Sequence, residues 1–195
     1  MERCGVRKIL DMVFATGAFN PSKEQETFAL AHHDLDLQNL LTDEDGNITG
    51  IIDWDGSIAA PRCIGTAAVP IFLNRDWFPG YANTLSISPH LAWKTETYRQ
   101  FYAQALVEAG HPDAKFTTKS PIYQAALCAL YLGGSAHDFT EKLLREIPGF
   151  RLPPREMKVA LGMGWEDGEK WLKGELRKIL EPQMPVADPV ELVGP

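Results

Sequence analysis

Asp34, Asn39 and Asp53 are side chains that suit one reaction, and they lie close together in the chain. They belong to the run 28–61, FALAHHDLDLQNLLTDEDGNITGIIDWDGSIAAP, which holds a His-x-Asp-x-x-x-x-Asn element and then an Ile-Ile-Asp-Trp-Asp element. Phosphoryl transfer from a Mg-bound nucleotide needs this set: a carboxylate to orient an acceptor hydroxyl, and hard oxygen ligands for the metal. Taken singly, each residue has an ordinary reading. Asp34 suits an Asx-turn, Asn39 a turn or cap, and Asp53 follows the apolar Ile51-Ile52, where a carboxylate is costly unless paired or metal-bound. Their order, with a hairpin between them, favours the chemical reading.

The positioning elements follow from local pattern. A short strand is expected over 27–31. Two β-favouring runs, 39–42 and 48–53, flank Asp43-Glu44-Asp45-Gly46-Asn47, and the Asp-Gly step offers the positive φ of a tight turn. An antiparallel hairpin should therefore carry the chemistry, with the key residues at strand ends.

The rest reads as helix. Val6, Ile9, Leu10, Val13 and Phe14 form a stripe in a first helix over 4–16. Residues 57–89, rich in Pro, Gly and Asn, suggest irregular structure. Tyr98, Phe101, Tyr102, Ala105, Leu106 and Ala109 predict a buried helical face after Leu91. Ser120-Pro121 should start a core helix, with Ser as cap, and Asp138-x-x-Glu141 resembles a capping box. A helical region over 154–180 carries Met157, Leu161, Trp165, Leu172, Leu176 and Ile179. Gly162, Gly164 and Gly168, each costing about 1 kcal/mol in a helix, predict a break. The proline-rich stretch 181–195 is expected to be a disordered tail.

The 195 residues suit one sizeable core. A formal charge of -7 without a basic cluster argues against nucleic-acid binding. Cys4, Cys63 and Cys128 form no C-x-x-C pair, which suggests free thiols in a reducing compartment. No signal-peptide pattern or membrane-length apolar run is found, so a cytoplasmic protein without a membrane partner is expected.

His32-x-Asp34-x-x-x-x-Asn39 followed by Ile52-Asp53-Trp54 resembles the aminoglycoside phosphotransferase and choline kinase superfamily, and the wording is especially similar to fungal phosphotransferase-family proteins. The specific match spans 28–62. The resemblance implies a protein-kinase-like fold, Asp34 as catalytic base, Asn39 and Asp53 as Mg2+ ligands, and His32 as the structural His. It places Trp54 after the metal Asp in a core-packing role, and leaves Asp55 between a turn cap and an acceptor contact. Asp36 departs from the His common there, and His33 from a small residue or Pro.

What is expected is an α+β, mostly helical chain: a kinase-like C-terminal lobe over 1–180 with one small antiparallel hairpin and the N-terminal lobe absent. Nothing before Asp34 supplies the family's phosphate loop, strand Lys or adenine hinge, and Lys8 and Lys23 read as surface charges. The implied function is transfer from Mg-ATP to a small-molecule hydroxyl acceptor by a truncated enzyme not active alone. A non-catalytic kinase-like binding module is the alternative. A metal-dependent phosphohydrolase built on His32-His33-Asp34 is a remote one, since His90, His111 and His137 lie elsewhere.

Overall fold

The computed structural model describes residues 1–19, 28–32, 34–78, 95–131 and 135–185. Within them lie helices α1 (Glu2–Phe14), α2 (Thr95–Glu108), α3 (Ala114–Thr117), α4 (Ser120–Tyr131), α5 (Ser135–Arg145), α6 (Pro154–Gly162) and α7 (Glu166–Leu180). Strands β1 (Phe28–Ala31), β2 (Leu40–Thr42), β3 (Ile48–Ile51) and β4 (Ile58–Pro61) form two antiparallel pairs, and four 3-10 turns complete the elements. The chain is thus α+β and mostly helical. It separates into two compact units.

The first unit gathers α1, most of α4, and α5 to α7. Its core is aliphatic: Ile9, Val13, Leu143, Leu144, Met157, Leu161, Leu172, Leu176 and Leu180 are essentially without solvent contact. Tyr123 is buried among them and donates its hydroxyl to the Leu180 carbonyl at 2.6 Å, which meets the cost of hiding that polar group. Lys158 is also buried, 1% exposed. Glu2 at 3.5 Å and Glu141 at 3.8 Å face its ammonium with opposite charge. Lys8 pairs with Glu169 at 2.6 Å.

Two helices of this unit meet backbone to backbone. A Cβ on Gly5 would fall 1.8 Å from the Lys158 carbonyl oxygen, and one on Gly162 would fall 2.0 Å from that of Met1. Hydrogen is the only substituent that fits at either place. The expected break in the last helical region occurs at Gly164, whose φ of +94° ends α6 and lets α7 begin.

The second unit holds all four strands, α2 and α3. Pairing of β2 with β3 forms the expected hairpin, with Leu40 opposite Ile51, Leu41 opposite Gly50 and a bulge before Thr42. Gly46 takes φ +84° in the turn. The Asp43 carboxylate accepts from the Asn47 side-chain amide at 3.0 Å and from the Asn47 and Asp45 backbone amides. These bonds favour its charged form and hold its pKa below the ordinary 3.8.

Several expectations need correction. Beyond the one hairpin there is a second pair, β1 with β4, registered from Phe28 opposite Pro61 to Ala31 opposite Ile58. The segment IAAP has little β-propensity of its own and is strand because β1 pairs with it and Ala60 is buried. Ser120 does not cap its helix. Its hydroxyl donates to the Thr117 carbonyl and accepts the Val69 amide, a long-range use that local pattern cannot show. Asp138 lies inside α5, which already starts at Ser135. The apolar stripe on α2 is its buried face only in part: Tyr98, Tyr102 and Leu106 are half-buried, Phe101, Ala105 and Ala109 are exposed, and the fully buried side chains are Arg99 and Ala103. Lys23, His33, His90 and residues 186–195 of the expected tail lie outside the described residues.

Cys4 is exposed, Cys128 half-buried and Cys63 buried, all as free thiols. Burial, with the Asp113 carboxylate adding to it, pushes the Cys63 thiol up to about 12. A raised thiol pKa contributes stability that is complete below the ordinary value of 9.0 and is lost as pH climbs from there toward 12. At about pH 8 an alkylating reagent should label Cys4 and spare Cys63 until the chain is unfolded by denaturant. Equal labelling rates by mass spectrometry would contradict the burial.

The glycine contact gives a sharper test. Ala normally stabilises a helix interior relative to Gly by about 1 kcal/mol, and Gly174 in α7, with nothing near its Cβ position, should respond that way. Gly5→Ala should instead destabilise by roughly 1–3 kcal/mol, the cost of forcing atoms into a filled space. Urea denaturation of the two variants should give shifts of opposite sign.

Candidate functional site

All the sequence-predicted site residues fall in the second unit, in the excursion that leaves β1 and returns as β4. The Ala31–Ile58 pair closes its base. Inside it run the loop residues 32 and 34–36, the 3-10 turn Leu37–Asn39, the β2–β3 hairpin and a second loop that contains Asp53.

Asn39 joins the two loops. It is 4% exposed, and its side-chain amide nitrogen donates to the Asp34 carbonyl at 2.7 Å. That bond fixes the amide's orientation and leaves Oδ1 as its acceptor atom. The Asn39 carbonyl meanwhile accepts the Ile52 amide at 3.0 Å. One residue therefore holds both the residue expected to be the base and the residue that precedes Asp53.

Ile52 is gripped at its carbonyl, in the next peptide unit, by His32. The Nε2 atom lies 2.9 Å from the Ile52 carbonyl, and a carbonyl can only accept, so Nε2 carries the proton. Both polar groups of Ile52 are thus committed to the first element of the motif, the N–H to Asn39 and the carbonyl to His32. Trp54 packs its ring against His32, 4.7 Å between centroids at 64°, and donates its indole N–H to the Ile51 carbonyl at 2.9 Å. Trp54 is 46% exposed. The core-packing role expected for it is replaced by a brace on His32. Asp55 is exposed in the turn that Ser57 N–H closes on the Trp54 carbonyl.

Asp53 itself has φ +60°, the only non-glycine in the left-handed region among the described residues. An L-residue there costs roughly 1–2 kcal/mol, a strain that folds keep where geometry is wanted for function. The conformation follows directly on the clamped Ile52 peptide.

Comparison with protein-family models, curated proteins and solved structures finds no match. The site is read from its own geometry.

The arrangement joins His32, Asp34, Asn39 and Trp54 through Ile51 and Ile52 into one hydrogen-bonded and ring-packed network, with Asp53 next in the chain after Ile52. The 3-10 turn is capped by Asp36, whose Oδ1 accepts the Leu37 amide at 2.8 Å. Its Oδ2 takes a 2.5 Å ion pair from Arg75. Asp36 and Arg75 stand 39 positions apart and share no local pattern that could join them. For the phosphohydrolase alternative more His or Asp ligands are required, and among the described residues no group of three or more His, Cys, Asp or Glu could hold a metal.

The strain at Asp53 can be measured. Asp53→Gly removes the side chain's conflict with a positive φ and should leave the fold as stable as the parent or more so, despite glycine's extra unfolded-state freedom. Asp53→Val, whose β-branch tolerates that region worst, should destabilise by about 1–2 kcal/mol. Urea midpoints in the reverse order would show that the left-handed conformation is absent in solution.

Proposed function

We propose that the loop pair forms the acceptor and metal part of a phosphoryl-transfer site, acting from a Mg-bound nucleotide on the hydroxyl of a small molecule. The observation that carries this reading is the double attachment of Asn39, to the Asp34 carbonyl and to the Ile52 amide. It ties the backbone of the would-be base, and of the residue just before Asp53, to the residue that offers an amide oxygen. The resemblance to aminoglycoside and choline kinases supports the same roles.

The donor set fits a hard cation. Asn39 Oδ1 and the Asp53 carboxylate are both oxygen ligands, the kind that magnesium prefers, and two protein ligands leave room for phosphates and waters. When bound, magnesium would neutralise charge on the phosphates. Every other task falls to the chain. Asp34, half-buried and with its carbonyl already engaged, would use its carboxylate to orient the acceptor hydroxyl and take its proton. His32 and Trp54 would keep the Asp53 peptide in place, since rigid ligand placement is where such catalysis gains most.

Manganese, a paramagnetic substitute for magnesium, offers a test that does not require the acceptor. Added to the full chain, it should broaden the NMR signals around Asn39 and Asp53, and Asp53→Ala should abolish the effect. With labelled ATP and a panel of amino alcohols and aminosugars, Asp34→Asn should lower any transfer by about 10²–10⁴-fold while leaving manganese broadening intact. Broadening that ignores Asp53→Ala would sink the metal assignment.

A further inference from the structure

The loop that carries Asp34 and Asn39 is held partly by bonds within itself. Asp36 N–H donates to the Asp34 carbonyl at 2.8 Å and Asn39 N–H to the Asp36 carbonyl at 2.9 Å. Such bonds shape a turn without fixing where the turn lies. Besides the bond from Ile52 to Asn39, two links among the described residues reach it from farther along the chain, and both come from the paired 3-10 turns Ile71–Leu73 and Arg75–Trp77. Ile71 N–H donates to the Leu35 carbonyl at 2.9 Å, and the Arg75 guanidinium pairs with Asp36.

Those turns are anchored in their own right. Arg99 of α2 is 5% exposed; its Nε donates to the Leu73 carbonyl at 2.6 Å and its Nη2 pairs with Asp76. A guanidinium taken out of water needs such partners, so the buried face of α2 is bound to the turn next to Arg75. A chain of two ion pairs therefore runs from α2 through adjacent residues, Asp76 and Arg75, to the loop.

The Asp36 carboxylate is well shielded, with its side chain 16% exposed. One oxygen caps Leu37 and the other meets Arg75. Removing the guanidinium would leave a partly buried charge without its counter-ion, a state that favours local opening. The opening would carry Asn39 with it, since Asn39 N–H is bonded to the carbonyl of Asp36 itself.

We propose that the Asp36–Arg75 pair is the positioning clamp of the site: it fixes the loop bearing Asp34 and Asn39 against the turn that Arg99 anchors, and thereby sets how Asn39 meets Ile52, the residue before Asp53. Its catalytic meaning rests on the phosphoryl-transfer reading; the clamp itself does not. Asp36 and Arg75 are positioning residues, acting through Asn39.

Amide hydrogen exchange on the full chain tests the clamp directly. Arg75→Gln should speed exchange of the Asn39 and Ile52 amides by about tenfold, leave the β2–β3 amides and those of α7 unchanged, and be largely rescued by Arg75→Lys. Asp36→Asn, which keeps an acceptor for Leu37, should act like Arg75→Gln. Unchanged protection at Asn39 and Ile52 would overturn the proposal. So would equal acceleration of every amide in both variants, because the pair would then hold the unit as a whole. Manganese broadening near Asp53 should weaken in Arg75→Gln. If the two amides accelerate and the parent chain shows no manganese broadening, the clamp stands and the phosphoryl-transfer reading fails.

Discussion

The arrangement depends on one residue that serves two loops. Asn39 gives its side-chain N–H to Asp34 and its carbonyl to Ile52, so the groups before and after the hairpin cannot drift apart without breaking a bond to it. The hairpin explains how this is possible. Asn39 immediately precedes β2, and Ile52 immediately follows β3. With Leu40 registered opposite Ile51, the next step outward brings Asn39 and Ile52 together as the ladder's last contact. A slip of one residue would replace that contact with another and turn the strand faces over. The Gly46 turn, far from the chemistry in the ladder, is therefore what sets its register.

Around this contact the molecule places constraint on constraint. The β1–β4 pair closes the base of the excursion. His32 and Trp54 brace the far side of the Ile52 peptide. Asp36, Arg75, Asp76 and Arg99 tie the near side to α2. Among the described residues Asp53 alone, of the non-glycines, is held in the left-handed region. Strain at one position, beside a network of hydrogen bonds, is the pattern expected where geometry matters more than stability.

Much of this was legible in the sequence, and the remainder was not for identifiable reasons. The hairpin, α1 and the break at Gly164 follow from local chemistry: an Asp-Gly turn, a helical stripe, a glycine with positive φ. Asp34, Asn39 and Asp53 could be singled out because their types and order suit one chemistry. The β4 strand was hidden because Ala-Ala-Pro has no strand preference apart from its partner. Arg75 and Arg99 were hidden because their role lies in partners far along the chain, and an ion pair leaves no periodic trace. The stripe on α2, only half of which is covered, misled for a related reason. Periodicity marks an apolar face, but here the side the helix buries is the one through which Arg99 reaches the turns.

The contact between α1 and α6 carries a different kind of consequence. Gly5 faces the Lys158 carbonyl and Gly162 faces that of Met1, so the pairing is made by atoms that every amino acid shares. Nothing in those atoms distinguishes one sequence from another; the information lies in two missing side chains. Over evolutionary time the aliphatic residues of the same helices can exchange with one another at modest cost, whereas positions 5 and 162 are closed to every alternative that the genetic code can offer.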